Sequence, residues 1–340
     1  MGANSSAQFT GDCPALVANM ESAATQLRAA GVTDYQLEPA LLFGKSFRRQ
    51  QHALTTDLNK VLAALLVAEL PMADAIDLRS AGGTGAGAFL QLQTDPARRL
   101  DDDRLRVCVR ARLRMSHPAH DYAATTTPPT HCNRRTQNGA LCGETLDARA
   151  LHAATCPSGP AATEGHNAIR DWLARWLQAV CGIAADTEQF EPRWDYRKPN
   201  GTREGKLIRA RLDVVCTDHK GVRTFIDVVG THAGGSGLLG EPELRMRAQE
   251  DGRAAHQAVV GKRCRYPPHK VPGCSLVPFA FEGLGRLSEE ARGFLRAMTP
   301  SPASLGCAYQ ELSYLVQRRL AESLLSAGPG GCQRHGAPAA

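Results

Sequence analysis

Two alternating segments joined by a short turn constrain this chain more than any other feature. Leu207-Ile208-Arg209-Ala210-Arg211-Leu212-Asp213-Val214-Val215-Cys216 sets Ile208, Ala210, Leu212 and Val214 against Arg209, Arg211 and Asp213. Thr217-Asp218-His219-Lys220-Gly221 supplies turn residues, and Val222-Arg223-Thr224-Phe225-Ile226-Asp227-Val228-Val229-Gly230 follows. Period-two alternation around a polar turn reads as a β-hairpin. A turn centred on Lys220 sets Asp213 opposite Asp227, on the face away from Ile226 and Val228. Opposed residues have Cβ atoms about 4.5–5.5 Å apart, so two carboxylates there repel unless a cation intervenes. Oxygen-only ligation suits Mg²⁺ or Mn²⁺. The plainer alternative is a solvated pair on an exposed sheet face, balanced by Arg209, Arg211 and Arg223.

A second cluster lies upstream. Cys132, Cys142, His152 and Cys156 fall in a short polar segment with few large apolar residues, where zinc would supply the missing stability. His152 and Cys156 are spaced to share one face of a helical turn. The Cys132 to Cys142 gap is longer than the usual two to four residues, which leaves His131 open as a substitute ligand. The ion would be structural, and free thiols beside a helix cap are the alternative.

The 340 residues are 43% hydrophobic and 22% charged, enough to build one or two ordinary cores. The net charge of +6 is a mild bias towards a polyanionic partner. The 11 cysteines, odd in number, spread along the chain and preceded by no cleavable signal, imply a reducing, intracellular setting. The longest apolar run, Val61 to Ala68, is too short to span a membrane. Residues about 14–30 and 50–70 read as helices, the latter packing Leu54, Leu58, Leu62, Leu65 and Leu66 into a core. The glycine-rich stretch from Ser80 to Gly87 reads as a linker. Between Asp101 and Met115, Arg104, Arg106, Arg110, Arg112 and Arg114 alternate with apolar residues as in a strand, with a basic helix also open.

The order of these features resembles the C-terminal region of non-LTR retrotransposon polyproteins, which carry a zinc knuckle and a restriction-like endonuclease of the PD-(D/E)XK superfamily. The knuckle corresponds to Cys132, Cys142, His152 and Cys156, and the helix start to Gly165-His166-Asn167. The two acidic strands correspond to Leu212-Asp213 and Ile226-Asp227-Val228, the basic helix end to Lys262-Arg263-Cys264-Arg265-Tyr266, and the closing strand to Val277-Pro278-Phe279-Ala280-Phe281-Glu282. The likeness covers roughly residues 100–325. Leu212 stands where the family has Pro, and Val229 where it has Lys.

The resemblance implies an α/β fold: a restriction-endonuclease-like mixed sheet flanked by helices, preceded by a zinc-knuckle-like module and a helical N-terminal region. It implies divisions at 1–100, 101–160, 161–300 and 301–340. The catalytic set it implies is Asp213, Asp227 and Glu188, with Glu191 the alternative acid, and Lys262 on the following helix replacing the base missing at Val229. His166 would cap or pack the helix carrying Trp172, Leu173, Trp176 and Leu177, with a catalytic role the alternative. The cofactors are Mg²⁺ or Mn²⁺ plus structural Zn²⁺. DNA, or RNA, is the partner, gripped by Arg104, Arg106, Arg110, Arg112, Arg114, Arg263 and Arg265, and the location is nuclear. Two rivals stay open: a nucleic-acid-binding relic without catalysis, and a zinc-stapled structural protein.

Overall fold

The computed structural model describes residues 59–91, 98–117, 131–136, 138–158, 160–197, 206–235 and 239–326, together with five positions between 22 and 29. The chain divides into two units, Met1–Pro71 and Met72–Ala340. In the first, the described positions between 22 and 29 and the stretch 59–69 are helical. Most of the helix expected over 14–30, and residues 50–58, lie outside the described residues. Leu62, Leu65 and Leu66 are 50–54% exposed, so their expected core packing is not met.

The second unit is an α/β structure around one mixed sheet. Its helices are α1 (Met72–Ala81), α2 (Asp102–Arg112), α3 (Leu151–Thr155), α4 (Ala161–Ala179), α5 (Glu241–Gln249), α6 (Arg253–Arg265), α7 (Glu289–Met298) and α8 (Pro302–Leu325). Its strands are β1 (Ala185–Phe190), β2 (Tyr196–Arg197), β3 (Leu207–Ile208), β4 (Arg211–Thr217), β5 (Arg223–Thr231) and β6 (Ser275–Glu282). The sheet order is β1-β4-β5-β6, with β2 and β3 forming a separate ribbon. The β1–β4 and β4–β5 pairs are antiparallel, and β6 runs parallel to β5 after a crossover through α5 and α6. Pro278 sits in edge strand β6, where a missing N–H is tolerated.

Both faces of the sheet are covered. Helix α4 places Ile169, Trp172, Leu173, Trp176 and Leu177 at helical spacing on one side, against Val214, Ile226, Val228, Phe279 and Phe281. Helix α8 lies over α4 and adds Ala308, Leu312 and Val316 to the same core. On the other side, Trp194, Leu212, Val215, Phe225 and Tyr266 form a second cluster, and Ala255 and Val259 of α6 pack on Ala280 and Val229. Residues 224–228 are all buried, as befits a strand covered on both faces.

Several expectations change. The hairpin forms, but residues 207–208 pair with β2 instead of extending β4. The 101–115 segment is a helix, not a strand. Asp101 caps it by accepting from the Arg104 N–H at 2.9 Å, acids fill its first turn, and Arg110 and Arg112 its last. The glycine-rich stretch is packed, not a linker: Gly85 has φ +83° and lies so close to the Tyr309 ring that a Cβ would collide with it. Residues beyond 301 form a core helix through Leu325, and contacts cross the boundaries expected at 160 and 300. Residues 327–340 lie outside the described residues.

Candidate functional site

At the end of the sheet where β4 and β5 part, Asp213 and Asp227 meet groups from two helices. Val214 pairs with Ile226 and Thr217 with Arg223, so the paired register ends one residue short of Asp213 and Asp227. Backbone pairing stops there, and the Asp213 carboxylate takes its place: Oδ2 accepts from the Val228 N–H at 2.7 Å. The other oxygen, Oδ1, lies 3.0 Å from His166 Nε2. His166 is therefore neither a cap nor core packing; α4 begins five residues earlier and carries the ring to Asp213 on its second turn.

The strand is irregular at this point. Strict alternation would put Leu212 and Val214 on one face, yet Leu212 packs with Val215 and Phe225, while Val214 packs with Ile226 and Val228. Across in β1, Glu188 takes φ +56°, a left-handed backbone conformation that a non-glycine residue adopts only under constraint.

Asp227 is 4% exposed, which rules out the solvated pair considered from sequence. Burial pushes its carboxyl above the ordinary carboxylate range, and the Lys262 ammonium, in direct ion-pair contact with Oδ2, opposes that shift. Helix α6 is fixed at both ends so that Lys262 arrives there. The buried Glu282 accepts from the Ala255 N–H at 3.2 Å at its start. At its end, Trp194 packs against Tyr266 and donates from Nε1 to the Pro267 carbonyl at 2.9 Å. Burial, and then the charges of Asp227 and Asp213, push the Tyr266 phenol up to about 12. Val229, where the family's Lys would stand, instead packs on α6.

Glu188 does not join the two aspartates in a metal-sized group among the described residues. It is half exposed and ion-paired to Arg170, with Arg211 at 3.5 Å. Arg170 follows His166 by one helical turn, and the carboxylates of Asp171, Glu188 and Asp213 outweigh the effect of burial on its charge. Glu191 lies elsewhere, buried and clamped by Arg193, whose Nε donates to it at 2.7 Å.

The four zinc candidates do come together. Their ligand atoms all lie within 4.8 Å of one another. Cys132 Sγ is 3.8 Å from Cys156 Sγ, Cys142 Sγ 3.7 Å from Cys156 Sγ, and Cys142 Sγ 3.3 Å from His152 Nε2. Ligands about 2.3 Å from a tetrahedral zinc stand about 3.8 Å apart, so this set could hold Zn²⁺. The long gap between the first two cysteines is a small hairpin, bridged at His131 with Thr145 and at Arg135 with Leu141, which folds Cys142 back beside Cys132. His131 is not in the cluster. Arg134 ties the module to the body of the protein: its guanidinium donates to the Ala153 carbonyl at 2.8 Å, to Ser326 Oγ at 3.0 Å and to the Ser323 carbonyl.

No protein-family model matches this chain, and no curated protein matches it. Its chemistry has to be read from the geometry, and that geometry changes the basic set. Arg112 is inserted among the Ala81, Ala86 and Leu284 carbonyls and over the Phe89 ring, and burial lowers its pKa. Arg114 pairs with Asp74, and Arg110 donates to the Ser116 carbonyl at 2.7 Å. These three part-buried arginines are engaged by backbone carbonyls and by Asp74. Arg104 and Arg106 are on the surface, with Asp101 and Asp103 as partners. Arg263 is half exposed, 3.8 Å from Glu290, and Arg265 stacks on Tyr196 and Tyr266 beside Lys262.

Among the described residues, no helix is long and apolar enough to cross a membrane.

Proposed function

We propose that the protein is a metal-dependent DNA endonuclease of the restriction-like type, related to the retrotransposon enzymes its motifs resemble and acting in the nucleus. The observation that carries this is the ion pair of Lys262 with Asp227, next to the Val228 N–H that holds Asp213, although Val229 stands where the resemblance would put a strand lysine. The element order, α4 followed by three antiparallel sheet strands, the two helices α5 and α6 and a parallel fourth strand, supports it.

The donors fit a hard divalent cation. Asp213 and Asp227 offer only carboxylate oxygens, and Mg²⁺ or Mn²⁺ binds readily through one or two carboxylates plus substrate phosphate. When bound, such an ion acidifies water and neutralises charge on the phosphate. The chain's own groups do the rest. The Val228 N–H and His166 fix the direction of the Asp213 carboxylate. Lys262, held by α6, presents its ammonium where charge develops on the phosphate or where the attacking water loses a proton. Glu188 steadies Arg170 at the rim, and the Cys132, Cys142, His152, Cys156 site is structural, with no open position.

Plasmid nicking in Mg²⁺ or Mn²⁺ tests the proposal, with Asp213→Ala as the comparison. The unsubstituted protein is expected to convert supercoiled to open-circle DNA, and the variant to lose at least about 100-fold in rate. Identical traces from the two proteins would sink the nuclease reading. The binding-only relic has one observation in its favour: both Asp213 oxygens already have partners. It predicts equal DNA retention and no nicking by either protein.

A further inference from the structure

Arg319, on α8, is a part-buried cation whose pKa is raised by no carboxylate nearby. Its Nε is sealed from solvent without an acceptor among the described residues. Its guanidinium carbon lies 5.4 Å from the centre of the Phe281 ring. Burial lowers its pKa, with no opposing charge nearby to raise it. Its charge acts on His232, whose Nδ1 is likewise buried without a partner and whose pKa falls to about 4 through burial and then the charges of Arg319, Arg247 and Arg149. Those other two arginines are already answered: Arg247 by Glu243 and Gln257, Arg149 by Asp74 and Asp77. The charge left over is that of Arg319.

The backbone around it is built to admit it. A Cβ on Gly165 would overlap the Arg319 stem, and one on Gly230 would overlap its guanidinium. Gly165 precedes His166, and Gly230 lies two residues after Val228, the two groups that hold Asp213. Arg319 therefore passes between the two segments that orient the first catalytic carboxylate. A cation taken out of water is costly without a partner, and a stacking contact with one phenylalanine does not offset that cost. A planar guanidinium fork is suited to two oxygens of a phosphate.

We infer that Arg319 and His232 form a phosphate-binding recess beside Asp213, which takes a backbone phosphate of the nucleic acid next to the one that is cut. This rests on the nuclease reading for its choice of ligand, but the recess itself does not.

The full-length protein and its Arg319→Met and Arg319→Lys variants are compared in two assays. The first is thermal melting with and without inorganic phosphate. The second is fluorescence anisotropy of a labelled DNA duplex across a salt series, without a divalent cation. Methionine keeps the length and the contact with Phe281, so Arg319→Met is expected to melt at or above the parent temperature and to lose protection by phosphate. It should bind the duplex about tenfold more weakly, with the log–log salt slope smaller by about 0.9. Lysine keeps the charge without the fork and should fall between. A variant that melts several degrees lower while keeping duplex affinity and slope would make Arg319 a packing residue and overturn the inference. Loss of phosphate protection with unchanged duplex affinity would overturn the nucleic-acid assignment. Binding that depends on Arg319 without nicking would sink catalysis and leave the recess standing; nicking indifferent to Arg319 would do the reverse.

Discussion

Lys262 and Asp227 touch, yet 35 positions separate them in sequence, and the residue two places after Asp227 is apolar. Position 229 faces the same side of β5 as Asp227 and packs on α6, so a lysine placed there would point at the same carboxylate. Lys262→Val is expected to abolish nicking, and the double variant Lys262→Val with Val229→Lys to recover part of it; circular dichroism checks that both fold. No recovery would show that the base has to approach from the helix. A second residue-scale effect concerns Asp77, on α1. Its carboxyl is pushed up from 3.8 to about 6 because burial outweighs the nearby Arg149 and Arg114. A raised folded-state pKa means that the folded form holds the proton more tightly than the unfolded chain. That contribution is complete below pH 3.8 and lost as pH rises through about 6. Asp77→Asn should therefore flatten the decline in urea midpoint across that window, a comparison readily made at five or so pH values.

At the scale of elements, what could be read from sequence depended on whether one local signal decided the outcome. The β4–β5 hairpin follows from alternation and a polar turn, and its register came out as the turn position implies. The break in β4 at Asp213 was not legible, because it answers to contacts with His166 and Val228 that are remote in sequence. Helix α2 shows two signals in conflict. Its arginines alternate as in a strand, but Asp101 and the acids after it mark a helix start, and capping prevailed. The zinc hairpin was hidden by its length, since only the bridges at 131 and 135 explain how Cys142 returns to Cys132. One zinc per chain is expected by elemental analysis, falling to none in Cys142→Ser. Chelation should lower the melting temperature by roughly 10 °C or more, since metal binding here adds directly to folding. Arg134→Met removes charged hydrogen bonds to the Ala153 and Ser323 carbonyls and should cost about 3 kcal/mol in urea unfolding.

For the second unit as a whole, α8 is the element that closes it. The helix lines α4 with Leu312 and Val316, packs Leu320 and Leu324 on the zinc module, accepts the Arg134 guanidinium, and sends Arg319 between Gly165 and Gly230. A C-terminal helix within 301–340 was expected from the sequence, but its role in closing the unit was not legible, because the partners that cover it lie far away along the chain. A protein ending at residue 300 is expected to lose cooperative melting, which calorimetry would detect. The position of α8 also orders events during synthesis. The zinc ligands are complete once Cys156 has been made, but the surface they pack against ends at Leu325, about 170 residues later. At typical elongation rates that is on the order of 10–30 s, during which the Cys/His cluster waits without its platform. A ribosome that stalls after Thr231 and before Pro302 releases a chain holding both acidic strands without the helix that closes the unit. If the enzyme cuts DNA, incomplete translation products are harmless by construction.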